Sequence, residues 1–114
     1  MSEPPEFQIT SESAAGGVCV RVRGELDLDS AERLRDAAAE AFAAGAGELT
    51  LDLRGLTFMD SSGLRMLLDV HRQAERQSVT LYIVRPPSPA ANVLEMTGTD
   101  SRLPLVDAEP GGGA

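Results

Sequence analysis

Apolar and polar residues alternate from Val18 to Arg23, where Val18, Val20 and Val22 interleave with Cys19, Arg21 and Arg23. A period of two belongs to a strand with one buried face, so the valines are assigned to the core and Cys19 to the opposite side. A shorter alternating run, Phe7-Gln8-Ile9-Thr10, precedes it across Ala14-Ala15-Gly16-Gly17. The two runs predict an antiparallel hairpin with a loose turn. Leu49-Thr50-Leu51-Asp52-Leu53 repeats the strand period. Val79-Thr80-Leu81-Tyr82-Ile83-Val84 is apolar and β-branched almost throughout, which predicts a strand buried on both faces. Residues 103–106 predict a last short edge strand, because Pro104 has no N–H to donate.

Between these runs the period lengthens to that of a helix. Asp29 with Glu32 three residues on resembles a capping box, and Leu34, Ala38, Ala41 and Phe42 form a stripe over about residues 30–44. Gly63, Leu64, Leu67, Val70, His71 and Ala74 share one arc of a second helix; Arg65, Asp69, Arg72 and Arg76 share the other. Local pairs of Asp69 with Arg65 and Arg72 are expected on that charged arc. Ser88 as cap and Pro89 at the first helical position predict a third, short helix carrying Val93, Leu94 and Met96 and ending near Gly98. The order β-β-α-β-α-β-α-β is that of an α/β domain, a mixed sheet with helices packed on it. The domain is assigned to residues 7–106, with a flexible N-terminus over 1–6 and a disordered acidic, glycine-rich tail over 107–114.

A chain of 114 residues is one small domain. Its formal charge of −8 argues against nucleic-acid binding, since no basic excess exists to pair with phosphates. No apolar run approaches the length of a membrane span, and the acidic start lacks a signal-peptide core, so a cytoplasmic protein without a membrane partner is expected. The single Cys19 excludes an internal disulfide and a cysteine metal cluster. No metal is expected, because one histidine and one cysteine do not make a usual zinc set. The glycines follow no phosphate-loop pattern.

The informative chemistry lies where the third strand passes into the second helix. Asp60 and Ser61 stand where an N-cap belongs, before Ser62 and Gly63. Their bland role is capping, and Asp60 is favoured for it. A second role follows from the helix N-terminus, whose free N–H groups and partial positive charge favour an anion such as phosphoserine. Spacing argues against a serine hydrolase. His71 is the one histidine, and ten helical residues place it roughly 15 Å from Ser61, whereas a base must lie within about 3 Å of its nucleophile. A packed, hydrogen-bonded histidine is expected instead. The domain reads as something acted upon, not as an enzyme.

The chain resembles the bacterial anti-anti-sigma factors (anti-sigma factor antagonists), small proteins made of a single STAS domain. The resemblance rests on Gly24-Glu25-Leu26-Asp27, on Leu56-Thr57-Phe58-Met59-Asp60-Ser61-Ser62-Gly63-Leu64, on Ser88-Pro89-Ala90 and on Met96-Thr97-Gly98, in this order over residues 7–106. It implies that Ser61 is the phosphoacceptor and that the kinase is the anti-sigma factor itself. It implies further that the unphosphorylated form binds this partner and releases the sigma factor, and that a PP2C-type phosphatase reverses the modification. No cofactor is implied for the chain; ATP and magnesium would be used by the partner kinase. Asp60, Asp27, Ser62 and Gly63 are expected to support the site. Gly63 would allow close approach of a partner backbone, and Asp27 would hydrogen-bond the loop or the kinase. Arg65, Asp69 and Arg72 are the expected partner-binding residues. The alternative is a STAS scaffold or assembly subunit that is never phosphorylated.

Overall fold

A computed structural model describes residues 7–110, apart from the side chain of Ala14; the N-terminus expected to be flexible (1–6) and residues 111–114 lie outside the described residues. The elements are β1 (Phe7–Ala14), β2 (Gly17–Leu26), α1 (Leu28–Ala43), β3 (Glu48–Met59), α2 (Ser61–Gln77), β4 (Thr80–Val84), α3 (Ala90–Met96), a 3-10 turn (Thr99–Ser101) and β5 (Leu105–Val106). The alternation of strands and helices read from the sequence is the observed one. The five strands form one mixed sheet in chain order, β1-β2-β3-β4-β5, with β1 antiparallel to β2 and the other neighbours parallel. Each parallel neighbour is reached through a helical crossover, and such crossovers are right-handed. Because the strand order steps in one direction, all three helices fall on the same face of the sheet.

The core forms between that face and the helices. Val20, Val22 and Leu26 of β2 and Leu49, Leu51 and Leu53 of β3 are buried against Leu34 and Ala38 of α1 and Met66, Leu67 and Val70 of α2. The hairpin turn is tight, not loose. Ala15 and Gly16 take φ of 50° and 85°, and Gly17 already pairs with Ala14. Two successive positive φ values twist the chain in the sense the strands need. In β4, Leu81, Ile83 and Val84 are buried, while Thr80 is exposed and Tyr82 half-buried, so the strand is less enclosed than its composition predicts. Ser88 does not cap α3. The N-cap is Pro89, and backbone bonds close the first turn, from Ala91 N–H to the Pro87 carbonyl and from Asn92 N–H to that of Pro89 (3.0 Å each). Among the described residues no helix is long and apolar enough to cross a membrane.

The helix-free face of the sheet carries a charge network. Asp52 points to this side yet is buried. Burial would raise its pKa, but the Arg54 side chain and amide hydrogen-bond its carboxylate and hold it at about 2. Glu109 lies across the same residues. It accepts from Arg21 Nε (3.0 Å), Arg21 Nη2 (2.7 Å) and Arg54 Nη2 (3.0 Å). Residues 107–110 therefore turn back over the sheet, past the domain limit and into the tail expected to be disordered. The reason is a partner, Arg21, that lies 88 residues away in sequence. Cys19 sits beside this network, and burial followed by the Glu109 charge raises its thiol pKa.

Candidate functional site

Two strand-to-helix junctions lie side by side at one end of the sheet. Register shifts between β2 and β3 after Arg21 and after Gly24 bring Leu26 opposite Met59, so both strands end level. The chain leaves each strand through an aspartate, Asp27 into α1 and Asp60 into α2, and each is extended and caps its helix.

At the second junction Asp60 Oδ1 accepts from the N–H groups of Ser62 (2.9 Å) and Gly63 (3.3 Å), and the Asp60 carbonyl accepts from Leu64 N–H (3.2 Å). Capping is thus the role of Asp60. Its carboxylate fills the anion seat that the free helix end would otherwise offer. Ser61 is the first residue of α2 and is exposed, and its hydroxyl makes no hydrogen bond among the described residues. Ser62 is half-buried and contributes its N–H to the cap. Gly63 is buried. A Cβ there would fall 2.8 Å from both Leu26 Cδ2 and Met59 Cγ. The close approach that requires glycine is therefore to the chain's own strand ends, and the expected approach of a partner backbone is corrected to this one.

At the first junction Ser30, not Glu32, completes the capping box. Ser30 N–H donates to Asp27 Oδ1 (3.1 Å), and Asp27 N–H donates to Ser30 Oγ (2.8 Å). The buried Ser30 hydroxyl also donates to the Glu25 carbonyl (2.7 Å). The helix accordingly starts at Leu28, two residues earlier than predicted. The Ser30 N–H, and then its hydroxyl, lower the Asp27 pKa from its ordinary value. Asp27 does stand next to the Ser61 loop, but its carboxylate is spent on α1, and no bond from it to the loop occurs among the described residues. What joins the two junctions is backbone: Asp60 N–H donates to the Leu26 carbonyl at 3.1 Å. The sequence reading missed Ser30. The pair Asp27 and Ser30 has the spacing of a box just as Asp29 and Glu32 do, and the pattern alone does not choose between them.

Along α2, Arg65 and Arg72 are exposed and Asp69 is half-buried. Asp69 accepts from Arg72 (3.3 Å), as expected, but its second partner is Arg35 of α1 (3.0 Å) and not Arg65. Asp69 is thus a brace between two helices, and Arg65 and Arg72 are exposed, as are Glu75 and Arg76 further along α2. His71 is half-buried, 3.7 Å from Glu75 through Nε2, and its buried Nδ1 has no partner, unlike the hydrogen-bonded histidine expected. No group of three metal-ligating side chains occurs among the described residues. The site presents an exposed hydroxyl on a rigid platform. The carboxylate beside that hydroxyl is committed to backbone N–H groups.

The family model described as "Mlab, STAS domain" matches residues 9–107. The chain is 31% identical over 104 residues to the anti-sigma F factor antagonist of Paenibacillus polymyxa, covering 90% of this chain and 89% of that one. Its fold superposes on the crystal structure of an anti-sigma factor antagonist from Mycobacterium paratuberculosis with a TM-score of 0.80, at 27% identity over 95% of this chain and 92% of that one. It also superposes on the Bacillus cell fate determinant SpoIIAA in its phosphorylated form, with a TM-score of 0.70 at 25% identity over 90% and 93% of the two chains.

Proposed function

Since the chain belongs to the STAS domain family, we propose that it is an anti-sigma factor antagonist switched by phosphorylation on Ser61. In its unphosphorylated form it binds an anti-sigma factor that is also a serine kinase, and so frees the sigma factor. The observation that carries the reading is the exposed, unbonded hydroxyl of Ser61 on the first residue of α2, beside an Asp60 already engaged in capping. The existence of SpoIIAA in a phosphorylated form supports it.

In the transfer, Ser61 Oγ forms a bond to the γ-phosphorus of ATP. The bond from that phosphorus to the bridging oxygen breaks, and ADP leaves. The hydroxyl proton passes to a base on the kinase, which also holds the magnesium ion. The chain itself contributes position: Asp60 fixes the first turn of α2, and the Leu26–Asp60 bond fixes that turn against the sheet. A PP2C-type phosphatase removes the phosphate by hydrolysis and restores binding. The deciding experiment is incubation with ATP and the cognate kinase, followed by intact mass and peptide mapping. One added phosphate on Ser61 is the expected result. Phosphate on Ser62 would overturn the assignment, and no phosphate at all would favour an unmodified scaffold.

A further inference from the structure

Among the described residues the large apolar side chains left exposed are Leu28, Phe58 and Met96. Two of these three stand at the paired strand ends. Leu28 is the first residue of α1, directly after Asp27, and is 65% exposed. Phe58 lies two residues before Asp60, opposite Glu25 of β2, and is 43% exposed. Their neighbours Leu26 and Met59 are buried in the core. Core formation therefore accounts for Leu26 and Met59 and leaves Leu28 and Phe58 without a role in the fold. The rim is acidic, with Glu25, Asp27 and Asp29 exposed and Arg65 the exposed cation of the first turns of α2.

On the reading of Ser61 as phosphoacceptor, we infer that Leu28 and Phe58 are the apolar anchors on which the kinase seats, against a pocket lined by apolar and rimmed by basic side chains. A kinase that brings ATP to Ser61 Oγ must close over the residues flanking the two caps, and Leu28 directly follows the first cap while Phe58 lies two residues before the second. Burying them drives docking of the unphosphorylated form, and the acidic rim selects a basic partner. A phosphate on Ser61 must stay hydrated, and so it keeps water over the apolar pair. A partner with basic residues would attract that phosphate. The switch therefore acts through desolvation of this patch and not through net charge alone.

Binding of the purified cognate anti-sigma factor to the full chain, measured by calorimetry beside thermal melts, tests the inference. Leu28→Ser and Phe58→Ser should each lose on the order of tenfold or more in affinity at unchanged melting temperature, while Phe58→Leu, which keeps apolar area, should retain most of the binding. Wild-type affinity should fall only modestly from low to high salt, because salt screens the charged rim and leaves the apolar anchors. Wild-type affinity for both serine variants, with the wild-type chain bound and phosphorylated on Ser61, would overturn the anchors and leave the function proposed above intact. A wild-type chain that neither binds nor accepts phosphate would overturn both.

Discussion

The amide of Asp60 donates to the carbonyl of Leu26 at 3.1 Å, and through this bond the start of α2 is fastened to the end of β2. Leu26 serves the same junction twice, since its side chain also occupies the space where a Cβ on residue 63 would fall. The position of Ser61 is therefore set by a strand that ends 35 residues earlier, as the numbering of Leu26 and Ser61 gives (61 − 26).

Gly63→Ala should test how tightly that junction is packed. The new methyl would meet Leu26 Cδ2, Leu26 Cγ and Met59 Cγ at 2.8–2.9 Å, closer than van der Waals contact allows. Overpacking of this kind costs about 1–3 kcal/mol, which outweighs the helix-propensity gain of about 1 kcal/mol on leaving glycine. Urea unfolding should show a lower midpoint at unchanged slope.

Acid titration should report on Asp52. Its pKa falls from 3.8 to about 2 on folding. A lowered carboxylate pKa contributes stability that is complete above the unfolded value and is lost as pH falls through the folded one. The contribution is about 2 kcal/mol, and the window runs from about pH 4 down to about pH 2. Asp52→Asn should be less stable at neutral pH and should lose less stability across that window. Glu109→Gln should behave differently. It leaves Arg21 with Glu12 and Arg54 with Asp52, so its cost should stay within about 1 kcal/mol and shrink with salt.

Much of the fold was legible because the relevant signals are local. The valines of β2 and the leucines of β3 keep a period of two, and the buried arc of α2 keeps one of 3.6. The Asp60 cap was legible for the same reason, since donor and acceptor lie within three residues. Features set by distant partners were not. Glu109 is held by Arg21 and Arg54, Asp69 by Arg35, and Gly63 is required by Leu26. Each depends on a residue that another element brings up, and for Gly63 it is the register of β2 against β3 that does so. Asp27 belongs with these: its place beside Ser61 follows from the pairing of β2 with β3, and the use of its carboxylate follows from Ser30, between two boxes of equal spacing.

Charge reversal on α2 should separate partner contacts from internal braces. Arg65 makes no ion pair among the described residues, and Arg72 makes one exposed pair with Asp69 at 3.3 Å. Arg65→Glu and Arg72→Glu should weaken binding to the anti-sigma factor if these cations meet acidic groups of the partner beyond the basic rim that faces Glu25, Asp27 and Asp29, and should shift unfolding by no more than about 0.5 kcal/mol, as is usual for surface sites. Asp69→Ala removes the brace to Arg35 of α1, which keeps only its 3.7 Å pair with Glu32, and should lower stability in addition to any effect on binding. Unchanged affinity of both arginine variants would remove this face from the interface.

Phosphorylation itself should switch binding while leaving the fold in place. A phosphoserine carries about −1.5 to −2 charges at neutral pH. On Ser61 it would find the N–H groups of Ser62 and Gly63 already bonded to Asp60, so the helix end gives it little further stabilisation, and the Asp60 carboxylate repels it. Both groups are near the surface, where the repulsion at 4 Å in water is about 1 kcal/mol per unit charge and so about 1.5–2 kcal/mol for the phosphate. That is too small to unfold a domain whose stability is of the order of 5–15 kcal/mol. At an interface from which water is excluded the same group is far more costly, and about 1.4 kcal/mol already means a tenfold loss of affinity. Ser61→Asp should therefore keep a native circular dichroism spectrum, melt within a few degrees of wild type and bind the anti-sigma factor poorly. Ser61→Ala should bind like the unphosphorylated chain and take no phosphate, acting as a permanently active antagonist. Calorimetric titration of both variants and of the phosphorylated protein against the kinase decides the matter: full affinity of the chain carrying phosphate on Ser61 would end the proposed switch.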